Sequence, residues 1–131
     1  MISHRLASYW PQTLSVVRIV VALLFLEHGT AKLFGFPATS MSSPHMGSLM
    51  WTQALIEVIG GLLLAVGLMS RLTAFVLAGN MAVAYFMAHA PKGFFPLANG
   101  GDAAVLFCFV FLALFVAGPG RWSVDESLRR Q

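Results

Sequence analysis

The sequence predicts an all-α integral membrane protein, an up-down four-helix bundle that residues 1–131 form as a single domain. Of its 131 residues, 58% are hydrophobic and only 10% are charged, whereas an ordinary soluble domain has roughly 25% charged residues. Four apolar segments occur, each approaching the roughly 20 residues that cross a bilayer as a helix. The connections between them are short, which favours antiparallel packing of consecutive helices.

The first two spans are separated by a polar loop without charged residues. The first is predicted over residues 14–34, because Gly35 suits a helix C-terminal cap and Pro37 cannot continue a helix. The second is predicted over residues 49–69, directly before Arg71. We expect the loop between them to connect two antiparallel helices.

The last two spans are also limited by proline and glycine. The third is predicted over residues 72–90 and ends before Pro91. The fourth is predicted over residues 102–117 and ends at a Gly-Pro-Gly sequence. Residues 118–131 are predicted to form a soluble C-terminal tail.

Lysine and arginine are distributed unevenly between the two ends of these spans. Both termini and the short turn after the second span carry Arg5, Arg18, Arg71, Arg121, Arg129 and Arg130, whereas the opposite end carries Lys32 and Lys92. The positive-inside rule therefore predicts cytoplasmic N and C termini. We expect Arg18, Arg71 and Arg121 to extend to the lipid phosphates on that side. Because the basic residues form no stripe, nucleic-acid binding is not predicted.

The single cysteine limits the redox chemistry that the chain can perform alone. Cys108 lies inside an apolar run, which excludes a disulfide framework, a CxxC pair and a cysteine zinc site. No metal site is predicted from the spacing of the other ligand types. Any redox activity would depend on a bound cofactor or on a partner protein.

Polar residues of all four spans are predicted to meet in the periplasmic half of the bundle. A rise of 1.5 Å per residue places them at similar depths, and a rotation of 100° per residue places His28 and Lys32 on one face. Glu57 shares its face with small residues that let another helix approach closely. The primary candidates for ligand binding or proton transfer are His28, Lys32, Glu57 and His89. The secondary candidates are Glu27, Tyr85, Asn99 and Asp102.

The free energy of inserting a helix into the membrane indicates that these polar groups are shielded from lipid. A charge in mid-span costs roughly 2.5 to 3.5 kcal/mol, whereas each Leu, Ile, Phe or Val returns only about 0.3 to 0.6 kcal/mol. The first span carries Glu27, His28 and Lys32, and its seven large apolar residues between Ile19 and Leu26 return about 3 kcal/mol together, so we expect an insertion energy close to zero. We therefore expect its polar face to lie against the other helices, with Lys32 or His28 paired with Glu57.

Each candidate also has a purely structural interpretation. Glu57 is either half of an ion pair that orders the bundle or a proton-transfer or ligand-anchoring group. His28 and His89 either form interhelical hydrogen bonds or bind a quinone carbonyl. Haem ligation by the two imidazoles fits less well, because they differ in depth. Asn99 and Asp102 have the spacing of a helix N-terminal cap, or Asp102 reaches a lysine at the mouth of the bundle.

Motifs spread over most of the chain resemble a known family. They comprise Arg18; His28, Gly29, Lys32 and Gly35; Glu57, Gly60, Gly61, Gly67 and Arg71; His89; Gly93, Phe94 and Phe95; Asn99 to Asp102; and Gly118, Pro119, Gly120, Trp122, Ser123 and Asp125. In this order and spacing they are similar to the DoxX family of small four-helix membrane proteins. One departure is Asp102, where the family motif more often has glutamate.

The resemblance implies an integral protein of the bacterial cytoplasmic membrane. Some relatives resemble membrane subunits of sulfur-compound or quinone oxidoreductases, others resemble partners of redox-stress enzymes, and wider relatives assist folding or trafficking of membrane proteins. The leading hypothesis is a periplasmic-leaflet site that binds a quinone-like or other small polar-headed ligand and supports a redox partner subunit.

Two other functions are left open by the sequence. One is a non-catalytic scaffold or assembly subunit in which the polar cluster only orders the bundle. The other is a proton-coupled permease, for which four helices are too few unless the chain forms a homo-oligomer. Whether the protein is itself an enzyme is not decided by the sequence.

Overall fold

In the computed structural model, which describes residues 2–40 and 44–131, all regular secondary structure in those ranges is helical. The α-helices are α1 (Ile2–Ala7), α2 (Trp10–Phe34), α3 (Leu49–Val66), α4 (Ser70–Ala84), α5 (Pro96–Asn99), α6 (Asp102–Ala117) and α7 (Val124–Arg129). α4 continues through a π-helical turn, Tyr85–His89, and a 3-10 turn, Ala90–Lys92. The all-α prediction is confirmed for the described residues. Part of the predicted first loop, residues 41–43, lies outside them.

Three helical segments are long and apolar enough to cross a membrane. They are α2, α3 and the continuous segment Ser70–Lys92, with mean hydropathies of 1.7, 1.8 and 1.4. α6 is apolar but has 16 residues, which at 1.5 Å per residue span about 24 Å. This length falls short of the roughly 30 Å hydrocarbon core.

Glycines in the left-handed conformation end α2 and α3. Gly35 has φ of 66° and its amide donates to the carbonyl of Ala31. Gly67 has φ of 74° and its amide donates to the carbonyls of Leu63 and Leu64. The second helix therefore ends at Val66, before the predicted limit at residue 69, because Gly67 already closes its last turn.

The four longer helices pack in a closed arrangement. α2 packs mainly against α3, α4 packs mainly against α6, and contacts between α3 and α4 and between α2 and α6 join the two pairs. The largest apolar side chains buried in the centre are Phe25, Leu64, Leu77 and Phe111. Large apolar side chains such as Leu23, Leu62, Phe75 and Phe109 are exposed on the outside, as expected for helices that face lipid.

The residues after α6 fold back onto the ends of the other helices. The backbone amide of Asp125, in α7, donates to the carbonyl of Gly67 at 2.9 Å. The amide of Arg121 donates to the carbonyl of Pro11 at 3.0 Å. The predicted soluble tail therefore includes a short helix that hydrogen bonds to the turn between α3 and α4.

Candidate functional site

A cavity of about 400 Å³ lies between α2, α3, the end of the α4 segment and α6. Its lining includes the four primary candidates, His28, Lys32, Glu57 and His89. Its other lining residues are Phe25, Met50, Gln53, Met81, Ala84, Ala88, Gly100, Ala103, Ala104 and Phe107. We call this space the polar cavity. The structure thus brings the primary candidates to one place.

Lys32 and Glu57 form an ion pair on the wall of the polar cavity. The Lys32 Nζ atom lies 2.7 Å from Oε1 and 2.9 Å from Oε2 of Glu57. The Glu57 side chain is 1% exposed and that of Lys32 is 14% exposed. A buried carboxylate without a counterion is costly, and Lys32 supplies this counterion, one of the two partners expected for Glu57 from the sequence.

Gly29 allows α2 and α3 to come close enough for this pair. A Cβ atom at Gly29 would lie 2.9 Å from the backbone nitrogen of Val58 and 3.0 Å from Cβ of Glu57. Only a residue without a side chain fits this approach without displacing the backbone. Gly29, three residues before Lys32 on α2, therefore lets α2 and α3 approach closely beside Glu57.

The two cavity histidines are each oriented by a backbone carbonyl. Nδ1 of His28 lies 2.9 Å from the carbonyl oxygen of Leu24, and the His28 ring packs edge-on against Phe107 at 5.5 Å. Nδ1 of His89 lies 3.2 Å from the carbonyl oxygen of Asn99. Because a carbonyl only accepts, each Nδ1 carries a proton, and Nε2 of a neutral ring is left as an acceptor.

Asn99 connects the His89 side of the cavity to the following loop. Its Nδ2 donates to the carbonyl of Gly93 at 2.9 Å and to the Tyr85 hydroxyl at 3.2 Å. Its Oδ1 accepts from the amide of Gly101 at 2.8 Å. Tyr85 also stacks on His89, with ring centroids 6.3 Å apart. Asn99 and Tyr85 therefore position His89 through this loop.

The predicted Asn99 and Asp102 cap is wrong. Asn99 belongs to α5, and α6 begins after Gly101 with no side-chain cap. Both ends of the Asn99 amide are already bonded within the loop, so the side chain is not available to α6. Asp102 is exposed, and it does not pair with Lys32, which binds Glu57 instead.

Glu27 does not take part in the polar cavity. Its side chain is exposed, one residue before His28 and therefore about 100° away around the helix. In the part of the chain that the structure describes, no three His, Cys, Asp or Glu side chains come together as a possible metal site. The imidazoles and the ion pair that line the polar cavity can donate, accept and exchange protons.

A second polar cluster, at the opposite ends of the helices, was missed by the sequence analysis. Arg18 is 1% exposed and donates through Nη1 to the carbonyl of Pro119. Its Nη2 donates to the carbonyl of Trp122 at 2.6 Å. The prediction that Arg18 extends to lipid phosphates is therefore wrong, because the chain that folds back after α6 supplies buried carbonyl acceptors.

Arg71, like Arg18, donates hydrogen bonds to backbone carbonyls, in this case at the end of α6. Its Nη1 donates to the carbonyls of Phe115 at 2.7 Å and Val116 at 2.5 Å. These carbonyls belong to the last turn of α6, where a cation interacts favourably with the helix dipole. The Arg71 side chain caps α6 and is also exposed on the surface.

Asp125 completes the second cluster from α7. Its carboxylate accepts hydrogen bonds of 2.8 Å from the amides of Met69 and Ser70 at the start of α4. Burial opposes its charge, but hydrogen bonds from Ser70 and Met69 and the positive charge of Arg18 outweigh burial and lower the pKa of Asp125. Arg18 and Asp125 belong to the motifs quoted above, and this was the only signal in the sequence.

These features define a helical membrane protein with a polar cavity between its helices. The DoxX family model matches residues 13–90, which is more than half of the chain. The chain belongs to the DoxX family. The matched range includes His28, Lys32, Glu57 and His89 and ends before α6.

Several proteins are similar to this chain over nearly their whole length. A protein of Haemophilus influenzae that bears only the name uncharacterized protein is 41% identical over 128 residues, covering 94% of this chain and 96% of its own. The inner membrane protein YqjF of Escherichia coli is 28% identical over 124 residues, covering 88% and 92%. An uncharacterized membrane protein of Mycobacterium tuberculosis is 26% identical over 146 residues, covering 92% and 84%. No solved structure is significantly similar to the chain.

Proposed function

We propose that the chain crosses a bacterial cytoplasmic membrane four times as an up-down bundle, with both termini in the cytoplasm. The packing of α6 against α4 and α2 supports a fourth crossing, although α6 alone is short. The excess of arginine near the termini supports the orientation, and an Escherichia coli relative is named an inner membrane protein. In this orientation the polar cavity lies in the periplasmic half.

Reporter fusions at the C terminus test this topology. A fluorescent protein that folds only in the cytoplasm should be bright after Gln131, and a phosphatase that is active only in the periplasm should be inactive there. The opposite pair of results would overturn the orientation. Fusions after Gly93, in the loop between α4 and α6, should give the reverse pattern if α6 crosses the membrane.

We further propose that the polar cavity binds a small ligand with a polar head group of the quinol or quinone type. The observation that carries this proposal is that two imidazoles and a buried ion pair line one space of about 400 Å³. Ligand sites are typically clefts of about this size with a few polar groups in an apolar lining. Phe25, Met81 and Phe107 supply apolar surface suited to a ring.

The hydrogen-bonding pattern favours the reduced form of such a ligand. With Nδ1 bonded to a carbonyl, each neutral imidazole offers an acceptor to a hydroxyl group. Oxidation of a quinol to a quinone releases two protons and two electrons, and His28 and His89 are suitable first acceptors for the protons. The electrons would pass to a redox partner subunit, so the chain would support an oxidoreductase rather than act alone.

Mass spectrometry of the purified protein tests ligand binding. Small molecules bound to the protein purified in mild detergent are extracted and identified. Ubiquinol or menaquinol is then added to the protein from which they have been removed. His28→Ala and His89→Ala should each lower retention, whereas His45→Ala, at an exposed histidine in the first loop, should not.

Two results would contradict the proposal. If the folded wild-type protein retains neither an endogenous quinone nor an added quinol, the polar cavity is not such a site. If His45→Ala lowers retention as much as His28→Ala, the loss is unspecific. Circular dichroism and size-exclusion chromatography establish in each case that the variant is folded.

A further inference from the structure

A second cavity, at the Arg18 end of the helices, carries a strong positive charge. It has a volume of about 420 Å³, and its charged lining residues are Arg71, Arg121, Arg129, Arg130 and Glu126. Four arginines and one glutamate give these residues a formal charge of +3. We call this cavity the basic pocket. No step of the proposed ligand chemistry uses it.

The positive charge of the basic pocket is only partly neutralised. Glu126 is shared by Arg129, at 3.4 Å, and Arg130, at 3.2 Å. Arg71 donates to neutral carbonyls. The Arg121 guanidinium is exposed and has no partner among the described residues, while the Arg121 amide is held by the carbonyl of Pro11. The basic pocket therefore presents net positive charge that an anion can bind.

An apolar groove continues from the basic pocket between α2 and α6. Trp10, Leu14 and Ala117 line both spaces. The groove has a volume of about 170 Å³, and its other lining residues are Thr13, Val17, Val110, Ala113 and Leu114. The one hydroxyl among them, on Thr13, already donates to the carbonyl of Tyr9 at 3.0 Å. The charged pocket beside an apolar groove matches a ligand with a charged head group and an apolar chain.

We propose that the basic pocket and the apolar groove form a binding site for one anionic phospholipid. Arginine binds phosphate oxygens through charge-assisted and often paired hydrogen bonds. Basic pockets at the ends of membrane helices suit such head groups, and Trp10 is a residue type that favours the same interfacial level. The groove accommodates part of an acyl chain, which selects a lipid over a free phosphate ion. This site is separate from the polar cavity.

Native mass spectrometry of the full chain in neutral detergent tests the site, with phosphatidylglycerol as the probe and phosphatidylcholine as the uncharged reference. The wild-type protein should retain one phosphatidylglycerol in preference to phosphatidylcholine. Arg121→Gln should weaken phosphatidylglycerol binding about five-fold, the contribution of one arginine near a membrane surface. Lys92 is also an exposed basic residue but lies at the opposite end, so Lys92→Gln should leave binding unchanged.

The groove is tested by a pair of matched substitutions. Val17→Phe places a larger side chain in the groove and should lower retention of phosphatidylglycerol. Val83→Phe enlarges an exposed valine of α4 in the same way, away from the groove, and should have no effect. Neither valine is part of the polar cavity, so ligand binding there should be the same in both variants.

Three results would overturn the proposal. The first is equal retention of phosphatidylglycerol and phosphatidylcholine by the wild-type protein. The second is equal weakening by Arg121→Gln and Lys92→Gln. The third is displacement of bound phosphatidylglycerol by millimolar inorganic phosphate together with unchanged binding in Val17→Phe, because the site would then recognise a free phosphate ion.

Discussion

The carboxylate of Asp125 accepts a hydrogen bond of 2.8 Å from the backbone amide of Ser70, 55 positions earlier in the chain. It also accepts one from the amide of Met69. Met69 precedes α4 with φ of 51° and no side-chain cap, so α7 supplies the acceptor that a local residue usually provides. The fold of the C-terminal segment and the start of α4 therefore depend on each other.

Loss of this carboxylate should destabilise the protein. Asp125→Ala leaves two amides at the start of α4 without their acceptor, and we expect a loss of about 1 to 2 kcal/mol in unfolding free energy. Thermal unfolding in detergent measures this loss. Asp102→Ala is the matched control, because Asp102 also lies at a helix start but forms no cap. An equal loss in both variants would contradict the capping role of Asp125.

The contribution of Asp125 should also depend on pH. Because its pKa is lower in the folded state, its stabilisation is fully present above the ordinary aspartate pKa and is lost as the pH falls through the folded value. The stability difference between wild type and Asp125→Ala should be constant near neutral pH and shrink on acidification below about pH 4. A stability difference that grows on acidification would show that folding raises the pKa of Asp125 and does not lower it. Unfolding curves over this pH range decide between them.

Much of the helical framework was predictable because its signals are local. Gly35 marks the end of α2, and the four primary candidates, His28, Lys32, Glu57 and His89, line one cavity, whereas the secondary candidates Glu27, Tyr85, Asn99 and Asp102 do not. The role of Arg18 was not predictable, since its acceptor Pro119 lies 101 positions later and becomes a partner only when the chain folds back. The same holds for Asn99, whose partners are set by the shape of its loop.

Removal of Lys32 alone should lower the unfolding free energy more than replacement of both Lys32 and Glu57 by apolar residues. Lys32→Met leaves a carboxylate that is 1% exposed without a counterion, and we expect a loss of about 3 kcal/mol. The double variant Lys32→Met with Glu57→Met should lose less than Lys32→Met alone, because no buried charge remains. Unfolding in detergent measures both losses, with Lys92→Met as an exposed control. Additive losses in the double variant would contradict a direct ion pair.

Arg18 should not be replaceable by lysine. Its guanidinium donates to the carbonyls of both Pro119 and Trp122, and a single ammonium group does not reproduce this planar geometry. Arg18→Lys should therefore lower the unfolding free energy by about 1 to 3 kcal/mol. Arg5→Lys, at an exposed residue of α1, should change it little. Limited proteolysis should also show faster cleavage after α6 in Arg18→Lys, and unchanged cleavage there would contradict this role.

Substitution of two glycines by alanine should change stability in opposite directions. A Cβ at Gly29 would lie 2.9 Å from the backbone nitrogen of Val58, so Gly29→Ala should force α2 and α3 apart at a cost of about 1 to 3 kcal/mol. Gly79 lies on an exposed face of α4 with nothing within 4 Å of its Cβ position. Gly79→Ala should therefore stabilise the helix by about 0.5 to 1 kcal/mol. Thermal unfolding of both variants measures the difference, and stabilisation by Gly29→Ala would show that α2 and α3 are not in close contact beside Glu57.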